Sequence, residues 1–189
     1  MTLTNAETEA RDRALAYFTS KAVLRPAEVR EQIAAAFASL EAVLADVPAD
    51  RAGVRTLADD WSAQEIVDHL LETFRPGVDE LRCLLADVRP PGDPIPAALQ
   101  SKAPALRPWS WLRDELRRTQ ADVLDLLARV PADFKSREAA PIVMVVNIPD
   151  AAPLHWVQDV EWQAYSIVSW RLHTIDHMKQ IRKVLARGR

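Results

Sequence analysis

The sequence contains a single cysteine and few glycines, and its charges are not concentrated in any one stretch. Each of these features excludes a class of protein. A single cysteine, Cys83, cannot form an internal disulfide, which is typical of a reducing compartment. No stretch approaches the ~20 apolar residues of a membrane helix, and the polar, acidic start does not resemble a signal peptide. Lysine and arginine are scattered and the net charge is -3, so no nucleic-acid surface is expected. We therefore expect a cytoplasmic globular protein that binds neither nucleic acid nor membrane.

Proline and glycine punctuate the chain in a way that favours helices. The 189 residues, 49% of them hydrophobic, are enough for one domain with a real core. Glycine occurs only 4 times, and the 13 prolines cluster between stretches of helical apolar periodicity. These patterns predict a single all-α domain over residues 1–189, with helices at about 6–20, 26–47, 62–87, 109–130 and 157–185.

Local signals support several of these helices. Pro26 suits a first helical turn. Ser62 and Glu65 form a Ser-x-x-Glu capping box, in which each side chain satisfies a free backbone N–H. Pro76-Gly77 is expected to kink the third helix, because proline removes a backbone hydrogen bond. The four longer helices and the two long connections between them predict a four-helix bundle with long crossover loops.

The two long connections, 88–108 and 131–155, are themselves informative. Loops longer than ~12–15 residues are uncommon in compact domains unless they serve a function. The second contains the apolar run Ile142–Val146, which periodicity alone assigns equally to a short strand or to a buried lid. We expect both connections to shape a pocket.

Three of the four histidines can meet at one point. His173 and His177 are four residues apart, so both imidazoles lie on the same face of the last helix, roughly 5–6 Å apart at Cβ. His69 lies on the third predicted helix and completes a three-nitrogen site if the two helices pack together. Neutral imidazoles bind zinc, nickel, iron or copper. Three protein ligands leave an open position, as in catalytic metal sites.

The last helix also carries a seam that is unusually polar for a bundle helix. At helical spacing it presents Trp162, Ser166, Ser169, His173, His177, Gln180 and Val184, beside an apolar face of Tyr165, Val168, Leu172 and Ile175. Buried polar groups are costly without partners. A metal ion, its water and surrounding hydrogen bonds would supply them.

Simpler interpretations exist for each of these residues. A histidine pair at this spacing is often a surface or hydrogen-bonded pair, and a lone His69 can be an ordinary core residue. His155 is interpreted as a loop residue, and Trp61, Trp162 and Trp170 as packing residues. Cys83 lies roughly 21 Å beyond His69 along a straight helix, at ~1.5 Å per residue, which disfavours it as a ligand. A zinc protease is excluded because Thr174 stands where the glutamate base would follow the first histidine.

The chain resembles the DinB-like superfamily, also called the YfiT-like helical bundles. The resemblance rests on Asp60-Trp61-Ser62-Ala63-Gln64-Glu65-Ile66-Val67-Asp68-His69-Leu70-Leu71 and on His173-x-x-x-His177-x-x-Gln180-Ile181, and it spans roughly residues 26–185. It implies a four-helix bundle with a three-histidine metal site, often for zinc or nickel, at His69, His173 and His177. Members of known role include bacillithiol transferases and mycothiol-dependent isomerases and transferases.

Two hypotheses of function follow. The first is a metal-dependent enzyme that transfers a low-molecular-weight thiol to a small electrophile or hydrolyses a small substrate. No general base is evident, and Glu72, Asp176 and Glu161 are expected only as partners of the histidines. The second is a non-catalytic binding or stress-response bundle that forms a homodimer through apolar helical faces, with its histidines hydrogen-bonded to side chains such as Ser166 or Gln180.

Overall fold

The computed structural model describes residues 3–58, 60–149 and 151–187, and it is mainly helical with a two-stranded antiparallel hairpin. In chain order the elements are α1 (Asn5–Ala22), α2 (Pro26–Ala45), α3 (Ala63–Leu85), a short 3-10 turn (Pro104–Leu106), α4 (Trp109–Ala128), β1 (Ala139–Val146), β2 (Leu154–Glu161), α5 (Trp162–Ser166), a π-helical segment (Ile167–Leu172) and α6 (His173–Arg187). Among the described residues, no helix combines the length and apolar character needed to cross a membrane.

The predicted helix starts are confirmed where a local signal was present. Pro26 opens α2 at its first turn. Ser62 caps α3: its hydroxyl accepts from the Glu65 N–H at 3.2 Å, and the Glu65 carboxylate accepts from the Ser62 N–H at 2.8 Å. The α3 helix continues through Pro76 to Leu85. These ends depend on neighbouring residues alone, which is why the sequence predicts them well.

The long helices pack around one hydrophobic core. The α2 and α3 helices each contact both α4 and α6, while α1 contacts α5 and β2 at the periphery. The centre contains fully buried side chains from α2, α3, α4 and α6, including Ile33, Leu40, Leu70, Leu112 and Ile181. At ~1.5–3 kcal/mol for each buried side chain of this size, the apolar interior is the main source of stability. It also fixes α3 beside α6, which brings His69 to the last helix.

The predicted helical character is confirmed, but the chain is not purely all-α, because residues 139–161 form a hairpin. The β1 and β2 strands pair antiparallel, with Ala140 opposite Val160 and Met144 opposite Trp156. Along β2, exposed residues alternate with half-buried or buried ones, which is the two-residue period of a strand. The last helix therefore begins at Trp162 instead of about 157. Of the two alternatives for Ile142–Val146, the strand is confirmed.

The last helix is not a regular α-helix throughout. Between α5 and α6 lies the π-helical segment Ile167–Leu172, whose turns are wider than those of an α-helix. In a regular α-helix, residues eight apart diverge by roughly 80° around the axis. The wider turn rotates the chain less per residue, so Tyr165 and His173 come to line one cavity. Such segments often occur at functional sites.

Candidate metal centre

His69, His173 and His177 converge into one cluster at the interface of α3 and α6. One nitrogen from each ring lies within 4.8 Å of the others, and no other group of three or more His, Cys, Asp or Glu in the described chain does this. His69 Nε2 and His173 Nε2 are 2.9 Å apart. The three ring centroids lie 4.6 to 5.0 Å from one another. The geometry predicted from the spacing of four and from helix packing is therefore present, and the cluster could hold a metal ion.

The histidines are oriented by hydrogen bonds on the sides of their rings that face away from the cluster. His69 Nδ1 lies 2.6 Å from the Leu99 carbonyl oxygen, and His177 Nδ1 lies 2.9 Å from Gln180 Oε1. Because both oxygens only accept, each Nδ1 carries the proton and each neutral ring presents an unprotonated Nε2. His173 hydrogen-bonds to the Ser169 backbone. This is the tautomer that metal-binding histidines use.

The short His69–His173 contact constrains what can lie between the two rings. The unprotonated Nε2 of His69 faces the Nε2 of His173 across this contact. A divalent ion bound there could accept a lone pair from each ring. The donor set, which consists of neutral imidazoles held by hydrogen bonds, fits a divalent transition-metal ion.

Burial keeps the cluster neutral. It lowers the pKa of His69, and it lowers that of His173 well below the usual value, with the neighbouring His177 and His69 adding to the effect. Burial, together with His69, lowers the pKa of His177 to about 4. Imidazole must be unprotonated to bind a metal. Burial therefore favours, in all three rings, the unprotonated form that binds a metal.

The connection before α4 is held against α3 by buried polar side chains. The Asp68 carboxylate, with no exposed surface, accepts from the Ser101 backbone N–H at 2.9 Å and from the Ser101 hydroxyl at 2.8 Å. It also pairs with Arg107 at 3.0 Å. The Gln64 amide donates to backbone carbonyls of the 3-10 turn and of Arg107. These contacts position the Leu99 carbonyl that orients His69.

A largely apolar cavity of about 420 Å³ opens on the cluster. Its walls include His173 and His177, the Ile95–Ala97 segment of the first long connection and Pro141–Val145 of β1. Both regions predicted as long connections therefore help to shape the pocket. The volume suits a small organic molecule. A larger recess, of about 510 Å³ around Glu72 and Lys102, does not include any of the three histidines.

Two groups of predicted residues do not join the site in the expected way. Glu72 pairs with Arg107 at 2.6 Å and Asp176 with Lys179 at 3.1 Å, while Glu161 lies exposed before α5, and none of them hydrogen-bonds to a histidine. The Ser166 hydroxyl donates to the Trp162 carbonyl at 2.7 Å instead of to the cluster. The polar seam of the last helix was predicted from regular α-helical spacing, and the π-helical segment changes that spacing.

The remaining residues considered from the sequence lie outside the cluster. His155 is exposed on β2, opposite Val145. Cys83 is half-buried on α3, with a free thiol. Trp162 and Trp170 are core residues, as predicted. Trp61 packs against the core and also against the cluster, with its ring centroid 5.1 Å from that of His69 and 6.3 Å from that of His177.

Sequence reasoning missed the groups that orient His69. The Leu99 carbonyl is a backbone atom in a proline-rich connection, so no side-chain pattern marks it. Asp68 and Gln64 belong to the motif around His69, but no function was predicted for them. The apolar neighbours Val67 and Leu70 indicate that this part of α3 is buried. Because burying an unpaired carboxylate is energetically unfavourable, they were the available sign that Asp68 needs a hydrogen-bonding partner.

Replacing Gln180 with leucine is expected to weaken metal binding about 10–100-fold, because His177 loses the acceptor that fixes its tautomer. Binding can be measured by competition with a chromophoric zinc chelator. Lys179→Ala is the matched control, since Lys179 is exposed and its ammonium pairs with Asp176 instead of with a histidine. Equal affinities of the two variants would contradict the assigned role of Gln180.

Replacing Asp68 with alanine is expected to lower the free energy of unfolding by about 3 kcal/mol, because Ser101 loses its acceptor and Arg107 loses a fully buried partner. Urea denaturation of the metal-free protein measures this. Asp79→Ala, at an exposed carboxylate on the same helix, is expected to change stability by less than about 0.5 kcal/mol. A similar small effect at Asp68 would show that it does not anchor the connection.

Comparison with models of protein families, with curated proteins and with solved structures found no match to this chain.

Proposed function

We propose that this chain is a metal-dependent enzyme of the DinB-like class that uses His69, His173 and His177 to bind a divalent metal, with zinc or nickel as the ions that fit best. The observation that carries the proposal is the convergence of three neutral imidazoles, two of them with Nδ1 held by an oxygen acceptor, on the edge of an apolar cavity. Structural zinc sites are closed by four protein ligands, whereas three leave room for a substrate.

The reaction that fits this arrangement is transfer of a low-molecular-weight thiol to a small electrophile, with hydrolysis of a small substrate as the variant that uses water. A divalent metal supplies a Lewis acid that lowers the pKa of a thiol or water beside it. The chain's own contribution is orientation and exclusion of water. Leu99 and Gln180 fix two rings, and Trp61 and Phe74 cover the cluster with apolar surface.

The cavity walls would hold the electrophile near the cluster. Ile95, Ile142, Val168 and Leu172 contribute aliphatic surface. Among the described residues that line the cavity, the ionisable groups besides the histidines are those of Glu80, Tyr165 and Asp176. The apolar part of a ligand is therefore stabilised in the cavity by about 25 cal/mol for each Å² of its apolar surface that is buried. Among the described lining residues, no carboxylate hydrogen-bonds to a histidine of the cluster, which suits a nucleophile activated by the metal.

Activity assays on the metal-loaded protein test this proposal. The protein, purified without a histidine tag, is loaded with zinc or nickel and assayed with a panel of small thiols and an aryl halide electrophile. We expect thioether formation that is abolished by chelation and by His69→Ala and restored by metal only in the wild type. A metal-loaded protein with neither transferase nor hydrolase activity would overturn the enzyme proposal and favour the non-catalytic homodimer.

A further inference from the structure

The cavity contains a second polar site that the metal centre does not use. Glu80 lies eleven residues beyond His69 on α3, roughly 16 Å along the helix at ~1.5 Å per residue. Tyr165 lies eight residues before His173 on the last helix. The two side chains meet across the cavity wall, where the Tyr165 hydroxyl donates to Glu80 Oε2 at 2.5 Å. The cavity thus has the histidines at one end and this pair at the other.

The pair is held firmly in place. Tyr165 has no exposed surface, its ring packs edge-on against Trp170 with centroids 5.5 Å apart, and Ser169 also hydrogen-bonds to it. Gly77 lies beside the Tyr165 hydroxyl, and a Cβ at this position would be in ordinary contact with it at 3.4 Å. Burial raises the pKa of both Glu80 and Tyr165. The tyrosine therefore stays a donor and directs one carboxylate oxygen.

The carboxylate has hydrogen-bonding capacity to spare. A carboxylate accepts up to about four hydrogen bonds, and within the described chain Glu80 receives one, from Tyr165, with no lysine or arginine partner. The described residues that line the cavity include two acids, Glu80 and Asp176, and no lysine or arginine. Asp176 is exposed and pairs with Lys179. Glu80 is therefore the uncompensated charge of the cavity.

We infer that Glu80, positioned by Tyr165, is a recognition site for the ammonium group of a ligand whose other end reaches the histidine cluster. An ammonium group is a donor and a cation, so it satisfies the free carboxylate oxygen and neutralises its charge in an apolar setting. A carboxylate or phosphate end would be repelled there. The inference deepens the proposed function and rests on it for the role of the second end, whose thiol would bind at the metal centre.

The required ligand is an amine with an apolar body and a thiol at its far end. The aliphatic walls between the two polar ends, which include Ile95, Val168 and Leu172, suit a methylene chain. The Tyr165 and His173 backbones are separated by at most roughly 12 Å along the axis at ~1.5 Å per residue, because the π-helical turns between them rise less than α-helical ones. Aminohexanethiol has this chemistry, and hexanethiol is the same molecule without the amine.

Binding of the two thiols to zinc-loaded protein at neutral pH tests the inference by calorimetry. We expect the wild type to bind aminohexanethiol about tenfold or more tightly than hexanethiol, as charge-assisted hydrogen bonds allow. Glu80→Gln should reduce the ratio to about one with unchanged zinc content, and Tyr165→Phe should reduce it in part. Asp79→Asn, an exposed carboxylate on the same helix outside the cavity, is the matched control and should keep the ratio.

Three results would overturn the inference: no preference for the amine in the wild type, an unchanged preference in Glu80→Gln, or a preference lost in Asp176→Asn instead. Failure of the proposed function is separable. If the protein binds no zinc, hexylamine and hexanol are titrated into the metal-free protein and followed by NMR. Selective binding of hexylamine that is lost in Glu80→Gln would support the ammonium site alone, and equal binding of both would overturn it.

Discussion

Replacing His173 with alanine is expected to reduce bound zinc or nickel from about one equivalent to a small fraction, with affinity at least about a hundredfold weaker. His173 contacts both neighbours of the cluster, through the 2.9 Å contact between its Nε2 and His69 Nε2 and through the 4.7 Å centroid separation from His177. Removing it leaves two imidazoles on different helices. Removing a group that only hydrogen-bonds to a metal ligand lowers metal affinity about 10–100-fold. Removing a ligand itself should lower the affinity further.

Elemental analysis of untagged protein measures this result directly. His155→Ala is the matched control, because His155 is an exposed histidine on β2 outside the cluster and should keep full stoichiometry. Circular dichroism distinguishes loss of the site from loss of the fold. Full metal content in a folded His173→Ala protein would refute the three-histidine centre.

The metal-free protein is expected to lose stability as the pH falls from 7 to 5, and His177 alone should account for about 2 kcal/mol. Burial and His69 lower its pKa to about 4 in the folded state, whereas the unfolded state has a value near 6.5. Below about pH 6.5 the unfolded chain binds a proton that the folded chain does not, which favours unfolding. The stabilisation is complete above pH 6.5 and is lost as the pH falls towards 4.

Urea denaturation at pH 7 and pH 5 measures this dependence. His177→Asn keeps a polar side chain without the imidazole, so its stability should fall less than that of the wild type by about 2 kcal/mol over the same interval. His155→Asn is the control and should follow the wild type. Equal losses in the wild type and in His177→Asn would show that His177 is not held neutral. Bound metal should steepen the pH dependence, because protons compete with the ion.

How much the sequence could predict varies with how local each feature is. Ser62 and Glu65 cap α3 through atoms three residues apart, so the sequence alone predicts that helix start. His173 and His177 share a face because one helical turn separates them. The hairpin was harder to predict, because the short apolar run Ile142–Val146 fits a strand or a buried lid equally well until its pairing partner is known. Pairing of Met144 with Trp156 decides it.

Residue type and short-range spacing were enough to predict a mainly helical chain, the starts of its capped helices and three histidines able to meet. The remaining features depend on how distant segments fold together. The π-helical segment places Tyr165 in the cavity with His173, a backbone carbonyl at Leu99 orients His69, and Glu80 meets Tyr165 from 85 residues away. Such contacts depend on how segments that are distant in sequence pack against each other. Packing involves side chains throughout the core, so no single sequence motif predicts it.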